Sequence, residues 1–325
     1  MQPLLTVRGL EITFGRGKEA SVVTHDVGFD VLPGEILSLV GESGSGKSVT
    51  ALSILRLLPR QGRVTAGEIL YGNADLLSLG EAALDAVRGA DIAMIFQDVM
   101  MSLNPVLTIE RQMTEGAMRH RGLSRAQAAG RALQLLERTG VRDPERVMRG
   151  YPHMLSGGMR QRVMIAMALM CQPKLLIADE PSTALDVTIQ LQIMQLLKAL
   201  RDETGMGILL ITHDIGVVAE TADRVAVMYA GEVVETAPVE TLLTAPRHAY
   251  TRALIRAVPD IHEDGTRRLT SIPGSVPERY GGMKGCRFRE RCPRGASCTH
   301  WEKDALAEIA PGHLTRCDEG GDALG

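Results

Sequence analysis

Three short stretches of the chain are apolar at nearly every position: Ile36 to Val40, Leu175 to Ala178, and the segment "GILLI" that ends at Ile211. Short apolar runs without alternation match strands covered on both faces of a parallel sheet. Other stretches follow the helical period. Leu52, Leu55 and Leu58 share one side of a helix after the first run, and Ile189, Ile193, Leu196, Leu197 and Leu200 mark an amphipathic helix ending near Gly205. In "SRAQAAGRALQLLERTG", Ser124 and Gln127 have capping-box spacing, the leucines share a face, and Gly140 is the stop. Leu10, Ile12 and Phe14 alternate like one face of a strand, and "RVAVMYAGEVVE" alternates around Ala230-Gly231 like a hairpin. From about Thr236 the periodicity fades into proline- and glycine-rich sequence, "SIPGSVPERYGGMKGC".

Each apolar run delivers polar residues at its C-terminal end. After Val40 comes "GESGSGKS", which fits G-x-x-x-x-G-K-[ST] over Gly41, Glu42, Ser43, Gly44, Ser45, Gly46, Lys47 and Ser48. Strand, glycine loop and helix in that order turn backbone amides toward phosphate oxygens at a helix N-terminus. Lys47 then reaches the β- and γ-phosphates of a nucleotide and Ser48 ligates Mg²⁺. The second run delivers Asp179, suited to the Mg²⁺ shell, and Glu180, suited to activating water; the third leads to His213, which can hold that water in line. A second anion site is expected at "LSGGMRQR". There Ser156, Gly157 and Gly158 open a helical run through Leu169 and present a hydroxyl, bare amides and a positive helix end. Two helix N-termini so far apart in sequence point to two copies facing head to tail, each lending its Ser156 loop to the other's γ-phosphate.

Composition narrows the class. With 325 residues and 45% apolar content the chain can bury a full core, and its net charge of −3 gives no electrostatic reason to expect nucleic acid as a partner. The longest apolar run, Val163 to Cys171, is far below the ~20 residues that cross a bilayer. The first residues lack the layout of a secretory signal, so the expected compartment is the cytoplasm.

These motifs resemble the ATP-binding-cassette family over about Leu4 to Glu235. The resemblance adds the glutamine loop "IFQD" with Gln97, the loop "STALD" with Asp186, the switch "ITHD", and Phe14 as the ring placed against adenine. It implies an α/β fold: a RecA-like P-loop NTPase core with an antiparallel β subdomain and a helical signature subdomain. The cassette is expected over residues 1–235, with the helical insert at about 98–160 and a small irregular cysteine-bearing extension over 236–325. Implied roles are catalysis by Glu180, His213 and Gln97, Mg²⁺ ligation by Ser48 and Gln97, and action of Ser156, Gly157, Gly158 and Gln161 on the partner's ATP. The segment "DVMMSLNP", with Met100, Met101 and Leu103, is expected to receive a helix from a membrane subunit.

Finer features are similar to the dipeptide, oligopeptide and nickel uptake branch, with departures at Val99 and Ala249. That implies peripheral attachment to the cytoplasmic face of the inner membrane and a second ATPase subunit, either a related chain or a second copy. It also implies two permease subunits and an extracytoplasmic solute-binding protein. Peptides are the first cargo, with nickel or glutathione as alternatives, and a soluble repair or translation ATPase is the rival class.

Four of the five cysteines lie near the end, spaced C-x₅-C-x₅-C-x₁₈-C at Cys286, Cys292, Cys298 and Cys317. The spacing is unlike the C-x₂₋₄-C pairs of zinc ribbons and unlike common ferredoxin motifs, so by itself it leaves the metal open. The resemblance, through "GC.F..RCP" and a later cysteine, implies a [4Fe–4S] cluster on these four. Arg287, Arg289, Arg291 and Arg294 lie between the thiols, where they either offset cluster charge or form a solvated loop. Cys171 is expected to pack in the core.

Overall fold

The computed structural model describes residues 2–98, 102–181, 186–257, 272–277, 280–295, 298 and 305–317. It divides into two compact units. One comprises residues 1–4, 32–36 and 78–211, the other residues 5–31, 37–77 and 212–325.

In the second unit, β1 (Leu5–Phe14) pairs antiparallel with β2 (Ser21–Val31). The chain passes through β3 (Ile36–Val40) and the glycine loop into α1 (Lys47–Ile54). It returns as β4 (Gly62–Tyr71) on the other side of β1, with β5 (Ala74–Asp75) at the edge, giving the order β2-β1-β4-β5. Leu5, Val7, Leu10 and Ile12 are all buried although Val7 and Leu10 are three apart. Register shifts in both pairings of β1 absorb the extra residue, with Gly9 at φ +56°.

The first unit carries α2 (Glu81–Val87) and β6 (Ile92–Ile95), then α3 (Ile109–Arg121), α4 (Arg125–Arg138), α5 (Pro144–Arg149) and α6 (Gly157–Ala168). After these come β7 (Leu175–Asp179), α7 (Val187–Thr204) and β8 (Gly207–Thr212), and β6, β7 and β8 pair in parallel. The Ser124 capping box forms in full, and Gly205, at φ +69°, ends α7 as expected. The sequence did not announce α3. It is mostly polar and buries only a narrow stripe of Ile109, Met113, Thr114 and Ala117.

The chain re-enters the second unit with α8 (Ile215–Thr221), β9 (Arg224–Tyr229), β10 (Glu232–Pro238), α9 (Val239–Thr244) and α10 (Ala249–Arg256). The last elements are β11 (Ala307–Ala310) and β12 (His313–Thr315). Here β9 runs parallel to β3 and antiparallel to β10, β12 adds to β10, and β11 adds to β12. The β9–β10 turn has Ala230 at φ +45° and Gly231 at φ +84°, the two positive φ values that a type I′ hairpin demands.

The sequence marks a change of character after residue 235, but the fold carries β10 straight through it, and Glu235 stands opposite Thr315 of β12. The fully buried Glu235 carboxylate accepts from the backbone amides of Arg247 (2.7 Å) and His248 (2.9 Å) and pairs with Nε2 of His313 (2.8 Å). One carboxylate thereby ties β10, the start of α10 and β12 together and gives the Arg247 and His248 amides and the His313 ring their partner.

His248 is the N-cap of α10. Its Nδ1 accepts from the Tyr250 amide at 3.1 Å, so a second proton would have to displace that bond. Burial, with Arg252 and Arg316 nearby, lowers its pKa to about 3. The unfolded chain therefore takes up a proton below about pH 6.5 that the folded chain refuses, and stability falls as pH drops through that value. Going from pH 7 to pH 5 should cost about 2 kcal/mol through this one residue. Urea unfolding of wild type and His248→Gln at both pH values checks this; an equal acid loss in the two proteins would contradict it.

Candidate functional site

The glycine loop sits between β3, buried at every position, and α1. A Cβ on Gly41 would lie 2.1 Å from the Met228 carbonyl oxygen, so β9 leaves room for glycine alone. Gly46, the N-cap of α1, is left-handed at φ +99° and makes no side-chain cap, which leaves the helix end to the loop. The Lys47 side chain is buried and curls back into the loop. Its Nζ donates to the carbonyls of Gly41 (2.8 Å) and Glu42 (2.9 Å) and to Ser45 Oγ (3.3 Å). A buried ammonium beside a helix N-terminus, within a turn of small residues, is a site for a polyanion. Ser48 follows Lys47 in the first turn of α1, and Ser43 and Gly44 form the exposed crest of the loop. Phe14, half-buried at the end of β1, lays its ring over Gly62, where a Cβ would come within 2.8 Å of its Cζ.

The far end of the chain also holds this loop, through contacts that sequence reasoning missed. The amide of Glu42 donates to Tyr250 Oη at 2.8 Å, and Tyr280 Oη donates to the carbonyls of Val23 (3.1 Å) and Gly44 (3.2 Å). The Gly231 amide donates to the Ser45 carbonyl at 2.9 Å. Arg291 meets the Glu42 carboxylate in a bidentate pair, Nη1 to Oε2 at 2.7 Å and Nη2 to Oε1 at 3.0 Å. Burial raises the pKa values of Tyr250 and Tyr280, which keeps both phenols protonated at neutral pH. Phe288, from the cysteine loop, packs edge-on against Tyr229 at 5.2 Å and contacts Tyr250 at 5.3 Å, anchoring that loop in the core.

In the first unit, β7 ends on Asp179, which is 3% exposed, followed by Glu180. Glu180 is left-handed at φ +46°, its amide donating to the Ile211 carbonyl at 2.9 Å. That conformation costs a non-glycine residue roughly 1–3 kcal/mol, a strain that clusters at functional sites. Gln97 Nε2 donates to Glu180 Oε2 at 3.0 Å, so two of the expected catalytic residues, 83 positions apart, do meet. In the second unit His213 is exposed. It directly precedes Asp214, which caps α8 by accepting from the amides of Gly216 (2.8 Å) and Val217 (3.3 Å).

The signature forms as a capped helix start. Ser156 is the N-cap of α6 and accepts from the Met159 amide at 3.4 Å, and Ser156 and Gly157 are exposed while Gly158 is half-buried. Gln161 differs: it is fully buried in α6, and neither amide atom is paired among the described residues. Asp186 caps α7, accepting from the Ile189 amide at 3.0 Å; the preceding residues 182–185 of its loop lie outside the described residues. So do Val99, Met100 and Met101, whereas Leu103 is buried. A cavity of about 550 Å³ in the same unit, lined by Leu135, Arg138, Leu169, Leu200, Glu203 and Met206 among others, includes none of these motif residues.

All five cysteines are free thiols. Burial pushes Cys286 up to about 11, the Phe288 amide works against that, and the nearby Cys292 and Cys298 thiols add to the rise. It is a neutral thiol at pH 7. Among the described residues no group of three or more His, Cys, Asp or Glu is arranged to hold a metal ion. The four tail thiols as placed do not fit a four-thiolate site. Cys171 is buried, as expected, and its carbonyl accepts from Arg121.

Comparison with known proteins agrees with this arrangement. A family model described as ABC transporter matches residues 24–183, and one described as "Oligopeptide/dipeptide transporter, C-terminal region" matches residues 234–298. The chain is 51% identical to the probable peptide ABC transporter ATP-binding protein y4tR of Sinorhizobium fredii, over 97% of its own length and 94% of that relative. It is 48% identical to a putative peptide import ATP-binding protein of Brucella abortus over the same shares. Among solved structures it resembles the dimeric post-hydrolysis state of the ATP-binding cassette MJ0796 bound to ADP and Pi. That match has a TM-score of 0.65 and 32% identity, covering 72% of this chain and 98% of the other. Glycine loop, signature helix and the Gln97–Glu180 pair define an ATPase cassette of the P-loop class, with its antiparallel sheet and helical subdomain. The chain belongs to the ATP-binding-cassette transporter family.

Proposed function

We propose that this chain is the ATP-hydrolysing motor of an importer for di- or oligopeptides. The observation that carries the reading is the near full-length likeness to peptide import ATP-binding proteins, extending through the tail that matches the peptide-transporter region. Lys47 and the loop amides bind the phosphates, Ser48 and Asp179 with Gln97 supply oxygen donors for Mg²⁺, and Phe14 stacks on adenine. Magnesium, when bound, neutralises charge on the β- and γ-phosphates. Glu180 takes a proton from the attacking water while Gln97 and His213 orient it. Ser156, Gly157, Gly158 and Gln161 act on the nucleotide of a second cassette, and Asp186 ends the loop that leads into α7. Two cassettes close head to tail on ATP and reopen after hydrolysis.

The motor works on separate permease subunits from the cytoplasmic face, a reading supported by the likeness to peptide import ATP-binding proteins; no helix among the described residues is long and apolar enough to cross a membrane. An extracytoplasmic binding protein delivers cargo. Purification from membranes tests this against a soluble role: the chain should co-purify with two permease subunits, and its hydrolysis should ignore DNA. A chain that never joins a membrane complex and is stimulated by DNA would defeat the reading. The [4Fe–4S] cluster implied for Cys286, Cys292, Cys298 and Cys317 is a separate proposal, because it needs the thiols drawn together. Anaerobic purification with iron, sulfide and zinc analysis decides it; zinc without sulfide would remove the cluster.

A further inference from the structure

The cysteine loop carries an arginine whose partner lies 249 positions away, inside the phosphate cradle. Arg291 is 7% exposed at its side chain. Nη1 and Nη2 grip both oxygens of Glu42, and Nε donates to the Pro273 carbonyl at 2.7 Å. Weaker bonds reach the carbonyls of Ile272 (3.5 Å) and Gly274 (3.4 Å) and the Tyr229 hydroxyl (3.4 Å). The guanidinium also lies over the rings of Tyr229, at 5.6 Å, and Phe288, at 5.8 Å. Such a planar fork, stacked and hydrogen-bonded on all sides, fixes a carboxylate in position as well as neutralising it.

Glu42 is the second residue of the loop, and its backbone carbonyl is one of the acceptors of Lys47 Nζ. An unpaired carboxylate here would add negative charge beside the triphosphate and compete for the Lys47 ammonium. With Arg291 in place the charge is cancelled, and the Glu42 backbone is fixed twice, by Arg291 through the side chain and by Tyr250 through the amide. We propose that Arg291 is a positioning residue for nucleotide binding: through Glu42 it sets the geometry and charge of the phosphate loop, and so couples the cysteine-bearing tail to ATP affinity. The proposal rests on ATP being the ligand of residues 41–48. By linkage the coupling is reciprocal, so ATP should also tighten the tail.

The test uses the full chain and equilibrium binding of ATP without turnover, in the presence of EDTA and then of Mg²⁺. Arg291→Gln should raise the Kd for ATP by about tenfold, within the range usual for coupled sites. Arg291→Lys, which keeps charge but loses the fork, should fall between. Adding Glu42→Gln to Arg291→Gln should recover part of the loss, since it removes the exposed charge. Hydrogen exchange of the ligand-free variants separates this from an unfolded tail, which would leave Glu42 equally unpaired but would lose its protected amides. Hydrogen exchange over 272–295 should slow when wild type binds ATP. If Arg291→Gln fails to fold, the same cycle with Arg291→Lys and the exchange measurement decide. Wild-type affinity in Arg291→Gln, or a double variant no tighter than the single one, would overturn the proposal alone. A wild type that does not bind ATP would overturn both it and the functional reading.

Discussion

Glu180→Gln should bind ATP about as tightly as wild type and hydrolyse it roughly 10²- to 10⁴-fold more slowly, the usual contribution of a positioned general base. The substitution preserves size, and a glutamine oxygen can still accept the Gln97 bond seen at 3.0 Å, so the local frame should persist. The left-handed backbone at φ +46° is also unchanged in kind. What is lost is the ability to take a proton from water. Paired measurements of ATP affinity and single-turnover hydrolysis separate the two effects. Unchanged hydrolysis would reject Glu180 as the base, and lost binding would make its role structural.

The second large effect is expected at Lys47. Lys47→Ala should weaken ATP binding by roughly 10- to 150-fold, as a charge-assisted hydrogen bond contributes about 1.5–3 kcal/mol. In the structure the ammonium is buried against the carbonyls of Gly41 and Glu42, so the variant also loses ties within the loop. Comparing thermal unfolding with ATP affinity keeps these apart: a folded variant with poor affinity supports phosphate binding. A folded variant that binds within twofold of wild type would contradict it.

Much of the cassette was legible in the sequence because its signals are local. The Gly41–Ser48 loop joins a buried strand to a helix, the Ser124 capping box needs four residues, and Gly205 ends its helix by its own backbone freedom. Ala230-Gly231 reads as a hairpin for the same reason. What escaped depends on residues that find each other only after folding. Glu235 meets His313, and Arg291 meets Glu42, across separations no periodicity can register. The tail therefore looked like an appendage once its period faded, although β12 extends the sheet of β10 and Tyr250 and Tyr280 reach the phosphate loop. The arginines between the cysteines were visible, but nothing local distinguishes one solvated in a loop from one buried on a carboxylate. Gln161 belongs to the signature motif in the sequence, and its burial inside the signature helix is likewise visible only after folding.

ATP hydrolysis by this chain should drive peptide import. Its most direct measurement is transport in proteoliposomes that hold the chain with its co-purifying permease subunits, fed with binding protein and a labelled dipeptide outside and ATP inside. The expected result is ATP-dependent accumulation that stops with Glu180→Gln, with hydrolysis that rises when loaded binding protein is added. Hydrolysis indifferent to every peptide, with no accumulation, would contradict it.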